Sequence, residues 1–167
     1  MKALLSLARR ASGRIAVGAV ALVGIIPTLV HGQARPNLSG TWMMNAAKSR
    51  LEVPAPDSTI FLIQHSEPIV RIFRTHVRGE KRDTATIQLR TDSSQVDWAV
   101  GATKLLSRSW WDGPELVFWT GFADPQRVGG QVVRYSLSSD RNTFTAIERV
   151  DIPNAVHVNR WVFDRRR

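Results

Sequence analysis

The sequence predicts an all-β fold, a single up-and-down antiparallel β-barrel of about eight to ten strands. Ten short segments have the residue pattern of strands, and nearly every gap between them is short enough for a hairpin. Parallel strands would need connections of a dozen or more residues, so these gaps favour antiparallel pairing. A sheet of sequential hairpins has two open edges, and closing it into a barrel removes both.

The predicted strands follow one another with turn residues between them. Breaks such as Asp112-Gly113-Pro114 and Asp140-Arg141-Asn142 have the composition of tight turns. The long gap is 45–58, where Asn45 to Leu51 can form one helical turn before the prolines that follow end it. The segments are 38–44, 59–65, 69–78, 83–91, 95–100, 103–111, 115–122, 131–138, 143–150 and 156–164.

Residues 1–34 have the three parts of a secretion signal: a positive start, an apolar run from Ile15 to Val30 and small residues ending on Ala34. We expect cleavage after Ala34, which places residues 35–167 in the periplasm or outside the cell as one domain. The apolar run is shorter than the roughly 20 residues that span a bilayer. We therefore expect no stable membrane insertion once the signal is removed, and an uncleaved anchor is the alternative. The basic residues of the positive start are Lys2, Arg9, Arg10 and Arg14.

Composition excludes several classes of site. The chain has no cysteine, which rules out a disulfide scaffold, a thiolate metal site and a cysteine nucleophile. The formal net charge of +9 becomes +5 when the four basic residues of the signal are removed. Three of these charges lie in the tail Arg165-Arg166-Arg167, and no basic stripe is interleaved with aromatic residues. We therefore expect no nucleic-acid partner.

The hairpin formed by 103–111 and 115–122 has one face without charge. A turn of two or four residues places hydroxyl and aromatic side chains together on that face, whereas the other face carries charged residues. Hydroxyls mixed with aromatics suit the wall of a ligand cavity. The alternative is a solid core, in which neighbours across the sheet satisfy the hydroxyls. The predicted ligand-binding residues are Leu105, Ser107, Ser109, Phe118, Thr120 and Phe122, joined by Tyr135 and Glu148 from later strands.

Glu148 is the acidic residue with the clearest prospect of lying inside. If Phe144 and Ala146 face inward, the two-residue period of a strand also places Glu148 inward. A buried carboxylate needs a partner, for which Arg74 is a candidate.

Histidines and known catalytic motifs give no stronger site. His65 and His76 lie at opposite ends of their predicted hairpin, so they cannot jointly bind a metal, although a single histidine, His157 included, could ligate a haem. The chain has no nucleophile elbow, phosphate loop or zinc-protease motif. We therefore expect no metal and no cofactor.

The start of the first predicted strand carries a family resemblance. The run Ser39-Gly40-Thr41-Trp42 resembles the opening motif of the lipocalins and the wider calycin barrels. With Asn45, Lys48 and Ser49 it is similar to the start of secreted bacterial lipocalin-like proteins of uncharacterised function. Avidin-like barrels open in a similar way, which leaves biotin-like binding as an alternative.

The lipocalin resemblance implies roles for a few residues. Residues 35–167 would form a lipocalin-like barrel in which Gly40 and Trp42 lie where one end closes. Trp42 would plug that end, with an arginine of the last strand over its ring. Arg160 is the first candidate for this arginine, and Arg165 is the second.

Together these observations predict an exported barrel that binds or carries a small apolar or amphipathic molecule. One alternative is a small envelope enzyme or isomerase that uses Glu148 or a histidine inside the barrel. Another is a structural or interaction domain whose interior is filled by its own side chains. The volume of the interior cavity separates the last alternative from the others.

Overall fold

The computed structural model of the protein describes residues 35–166, so the predicted signal peptide lies outside the described residues. All ten predicted strands are confirmed, with ends that differ from the predicted ones by at most two residues. Within residues 35–166, no helix is long and apolar enough to span a membrane. The strands are β1 (Gly40–Met44), β2 (Ser58–Ser66), β3 (Ile69–Arg78), β4 (Lys81–Arg90), β5 (Val96–Val100), β6 (Thr103–Asp112), β7 (Glu115–Phe122), β8 (Gly130–Leu137), β9 (Thr143–Ile152) and β10 (Ala155–Arg166).

The strands form one strongly curled antiparallel sheet in the order β4-β3-β2-β1-β10-β9-β8-β7-β6-β5. The predicted fold class is confirmed, but the sheet does not close, because the edge strands β4 and β5 are not paired with each other. β5 is short and covers only Thr103 to Ser107 of β6. The β4–β5 connection contacts the rest of β6, where Ser93 N donates to Ser109 O at 3.0 Å. A gap therefore runs between β4 and β5.

The long connection between β1 and β2 covers the part of the β10 edge that β1 does not reach. β1 pairs with β10 only from Phe163 to Arg166. Beyond that point a single helical turn forms, with Ser49 N donating to Asn45 O at 3.1 Å, as the sequence predicts. Arg50 then pairs with Arg160 through backbone bonds of 2.8 and 2.7 Å. The connection thus satisfies backbone groups of β10 that would otherwise be unpaired.

One end of the sheet is closed by Trp42, and we call it the plugged end. Trp42 is 0% exposed, and its Nε1 donates to Leu38 O at 3.1 Å. Phe144 packs on the inner side of the indole, with ring centroids 5.4 Å apart. Gly40 has a φ of +148°, and a Cβ there would lie 2.5 Å from Arg165 Nη1. Glycine is therefore required because the backbone and the arginine both exclude a side chain.

Arg165 lies over Trp42, which corrects the first choice of Arg160. The Arg165 guanidinium carbon is 4.2 Å from the centroid of the Trp42 ring. Arg160 is exposed, and its Nη1 donates instead to Lys48 O at 3.2 Å. The physical reason is the two-residue period of a strand: β10 turns Trp161 and Phe163 inward, so Arg165 follows them and Arg160 faces away.

Candidate ligand-binding cavity

A cavity of about 630 Å³ lies between the plugged end and the opposite end of the sheet. Every strand except β1 contributes to its wall. Its aromatic lining consists of Phe61, Trp98, Phe118, Tyr135 and Trp161. The interior therefore contains space that its own side chains do not fill, which argues against the solid-core alternative.

The cavity reaches the gap between the two edge strands. Four consecutive residues of β4, Ala85 to Gln88, line it, which requires both faces of that strand to be accessible. On the other side of the gap, the lining residues Trp98 and Val100 are 42% and 59% exposed. Apolar side chains thus mark the mouth of the cavity.

Five neighbouring strands each place one polar side chain on the inner face. The register pairs Ser107 with Thr120 and Thr120 with Gln131, and it pairs Glu148 with Asn159. Because directly paired residues share a face, these side chains form two short rows, one across β6 to β8 and one across β9 and β10, which the hydrogen bond from Gln131 to Glu148 joins diagonally. We call Ser107, Thr120, Gln131, Glu148 and Asn159 the polar row.

Glu148 is held inside by uncharged donors. Gln131 Nε2 donates to Oε1 at 2.5 Å, while Asn159 Nδ2 and Trp161 Nε1 donate to Oε2 at 2.8 and 3.2 Å. The predicted inward position is confirmed, since Glu148 lines the cavity. The predicted partner is wrong: Arg74 Nη2 lies 2.7 Å from Asp83 Oδ2 instead. Neighbours on β8 and β10 reach the carboxylate because they lie on the adjacent strands.

Thr120 is the polar residue of the row without a partner. Its side chain lines the cavity and the residue is 7% exposed. Its hydroxyl makes no hydrogen bond to any residue in the described part of the chain. Such a buried hydroxyl costs free energy unless something satisfies it. It therefore marks a position where the inner wall can accept a polar atom.

The opposite wall is formed by Arg74 and His76 of β3. Arg74 Nε has no hydrogen-bond partner among the described residues. The His76 ring stacks on Trp161 at 5.8 Å, and its Nδ1 is 2.7 Å from Thr59 Oγ1. Burial lowers the pKa of His76, and the positive charge of Arg74 lowers it further. At neutral pH this wall therefore carries one cation, which is already paired with Asp83.

Tyr135 connects the cavity to the plugged end. Its ring stacks on Phe144, with centroids 5.6 Å apart, and Phe144 in turn contacts Trp42. Burial raises the pKa of Tyr135 strongly, and the charge of Glu148 adds to this. The phenol is therefore neutral and can donate a hydrogen bond into the cavity.

Five of the eight predicted binding residues line the cavity and three do not. Phe122 is covered by Arg127, whose guanidinium carbon is 3.9 Å from the ring centroid, and Leu105 pairs with Phe122. Ser109 is 2% exposed, and its hydroxyl donates to Arg90 O at 2.9 Å near the plugged end. The cavity thus occupies only the middle of the predicted face. The five lining residues are Ser107, Phe118, Thr120, Tyr135 and Glu148.

Several lining residues were not predicted, although the same alternation could have found two of them. Gln131 has the parity of Tyr135 on β8, and Trp161 has the parity of Phe163 on β10. Phe61 and Trp98 also lie on the inner face, because they pair across the sheet with Trp42 and Leu105. Within residues 35–166, no three His, Cys, Asp or Glu residues are grouped closely enough to hold a metal ion.

Comparison with known proteins shows the fold and nothing finer. No family model matches the chain, and no curated protein matches it in sequence. A secretory abundant heat soluble (SAHS) protein from Ramazzottius varieornatus is similar, with a TM-score of 0.57 and 13% identity over 77% of this chain and 94% of that chain. Human cRBP IV has a TM-score of 0.53 and 13% identity over 78% of this chain and 99% of that chain. SAHS protein 4 from R. varieornatus has a TM-score of 0.52 and 8% identity over 78% and 95%. The fold is therefore calycin-like.

Proposed function

We propose that this protein binds or carries a small, largely apolar molecule inside the cavity. The observation that carries this proposal is an interior space of about 630 Å³ with an aromatic lining and a buried, unpartnered Thr120 hydroxyl. Small-molecule sites typically measure about 300 to 1,000 Å³ and combine apolar walls with a few polar groups. An apolar body with one polar group fits this arrangement.

The structural neighbours support a binding role at the level of the fold. Human cRBP IV is a cellular retinol-binding protein with this type of sheet. One fold serves many functions, so the ligand has to be inferred from this chain's own lining. Phe61, Trp98 and Trp161 favour a flat or chain-like apolar group.

Titration with an environment-sensitive apolar dye tests the proposal. We expect saturable binding that Phe118→Trp weakens, because the larger ring occupies cavity space. Leu62→Trp is the matched control, since Leu62 is 43% exposed on the outer face and the added ring leaves the cavity unchanged. Equal binding by both variants, or no saturation in the unmodified protein, would contradict the proposal.

The enzyme alternative has less support. Glu148 already accepts three hydrogen bonds, which hold the carboxylate in a fixed orientation and leave one acceptor position for a ligand. His76 is bound to Thr59 through Nδ1. These contacts fix side chains in place, which suits recognition better than proton transfer.

We also propose that the protein is exported to the periplasm or outside the cell, as the N-terminal sequence pattern indicates. The mature chain would then begin at Arg35. Terminal sequencing of the protein isolated from cells tests this directly. An N-terminus at Met1 would contradict cleavage and would indicate a membrane-anchored protein.

A further inference from the structure

We propose that the cavity selects a cationic amphiphile, an apolar molecule that carries an ammonium group, and that Glu148 binds this group. This inference rests on the proposed function, because it names the head group of a ligand held in the same cavity. It follows from the charge, the neighbours and the remaining hydrogen-bonding capacity of Glu148.

Glu148 has no cationic partner in the described part of the chain. No Lys, Arg or His nitrogen there lies within 4.0 Å of its carboxylate, and its donors are the neutral groups of Gln131, Asn159 and Trp161. Glu148 is half-buried on the cavity wall, and charged groups that leave water are normally paired or bound to a metal. The missing counter-charge is therefore one that a ligand can supply.

The carboxylate can accept a further hydrogen bond. Its two oxygens offer about four acceptor positions, and three are occupied. Glu148 lines the cavity, so a donor that fills the remaining position would have to come from the cavity side. An ammonium donates and never accepts, so it suits this position.

Aromatic side chains surround the same region. Trp161 bonds directly to Glu148, and Phe118 and Glu148 flank Val133 in one row of the sheet. Tyr135 lies close enough for the charge of Glu148 to affect its titration. Aromatic rings beside a carboxylate stabilise ammonium groups through cation–π attraction. They give an anionic head group no such stabilisation.

Arg74 is the group that would favour the opposite ligand. It lines the cavity, but its charge is paired with Asp83 at 2.7 Å. Its unpartnered Nε can donate a hydrogen bond to a neutral acceptor as well as to an anion. Glu148 therefore contributes the unpaired charge, and Arg74 provides the competing hypothesis.

Dodecylamine, dodecanol and dodecanoate test the head group, because they share one tail and differ in charge. We expect dodecylamine to displace the bound dye at a concentration at least about tenfold lower than the other two compounds, consistent with a desolvated charge pair. The net charge of +5 that remains without the four signal cations would attract dodecanoate instead, so non-specific attraction cannot produce this result.

Glu148→Gln should remove the preference for dodecylamine while dodecanol and the dye still bind, which shows that the cavity is intact. Asp151→Asn is the matched control. It removes one negative charge from the same strand, at a side chain that is 65% exposed, and should keep the preference.

Three results would overturn the inference: equal displacement by all three compounds, strongest displacement by dodecanoate, or a preference that survives in Glu148→Gln. Strongest binding of dodecanoate that Arg74→Leu abolishes would assign the head group to Arg74. If the dye itself does not bind, calorimetric titration with dodecylamine shows directly whether the ammonium compound binds. Binding of the dye without head-group selection would contradict only this inference. Absence of binding by every probe would contradict the proposed function as well.

Discussion

The plugged end and the cavity use similar side chains in opposite ways. At the plugged end, Trp42 is fully buried, its indole nitrogen is bonded and an arginine covers its ring. In the cavity, Trp98 is 42% exposed and the Thr120 hydroxyl has no partner among the described residues. At the plugged end the contacts are complete within the chain, whereas in the cavity some side-chain groups remain open to the interior space. We expect mutations at the two ends to differ accordingly.

Two glutamates show the same contrast. Glu67 accepts hydrogen bonds from Thr91, Trp111 and His65, which belong to different parts of the sheet. These bonds join the β2–β3 turn to the β4 end and to β6, across the gap that backbone pairing leaves open. Glu148 instead accepts bonds only from β8 and β10, its direct neighbours. Glu67 therefore holds the sheet together, whereas Glu148 is positioned within it.

Removing the plug should have the largest effect. Trp42→Ala should lower the free energy of unfolding by about 3 to 5 kcal/mol, the cost of deleting a fully buried large aromatic side chain. Trp161→Ala should cost about 1 to 2 kcal/mol, because that ring is only partly buried beside the cavity. Urea unfolding measures both values. A loss of under about 1 kcal/mol for Trp42→Ala would show that the plug is not a stability element.

The arginine over the plug should come next. Arg165→Met should cost about 1 to 2 kcal/mol, because it removes the contact with Trp42 and the bonds to Ser39 O and Arg141 O. Arg160→Met removes the same charge from the same strand at an exposed position and should cost under about 0.5 kcal/mol. Thermal or urea unfolding compares them. Equal costs would mean that net charge, rather than the ring contact, explains the effect.

Glu67→Gln should lower stability by roughly 1 kcal/mol at neutral pH, a value reduced for the partial exposure of this side chain. Burial raises the pKa of Glu67, but the hydrogen bonds from Thr91, Trp111 and His65 lower it by more. The pKa of Glu67 therefore lies below its ordinary value of 4.5. Because the folded pKa is the lower one, this stabilisation is complete above pH 4.5 and is lost as the pH falls through the folded pKa.

Melting temperatures recorded from pH 7 down to about pH 2 test this assignment. The difference between the unmodified protein and Glu67→Gln should shrink in the acid range. Glu80→Gln, at an exposed turn, is the control and should leave the pH profile unchanged. A difference in melting temperature that stays constant across the pH range would show that Glu67 does not cause the acid dependence.

The smallest expected effect distinguishes two buried hydroxyls. Thr120→Val should leave stability unchanged or raise it by up to about 1 kcal/mol, because the hydroxyl it removes has no partner. Ser109→Ala should cost about 1 kcal/mol, since it breaks the bond to Arg90 O. Chemical denaturation of both variants gives the comparison. A clear loss for Thr120→Val would show that this hydroxyl is satisfied within the fold.

Alternation within strands was readable without a structure. Strand-like segments separated by turn residues give the ten strands. Alternation gives the inward face of the β6–β7 hairpin and, once Phe144 and Ala146 face inward, the inward position of Glu148. The same period, applied back from Phe163, would have placed Trp161 inward. It also separates Arg165 from Arg160, once the inward residues of β10 are known.

By itself, then, the sequence determined the order of strands, their antiparallel pairing and the inward face of the β6–β7 hairpin, since these depend on neighbours along the chain. Only the tertiary structure decided that β4 and β5 stay apart, that Glu67 bridges the gap and that Glu148 meets Gln131 rather than Arg74. These features depend on the curl of the whole sheet. That curl sums small twists over ten strands, and no local pattern of residues encodes the total.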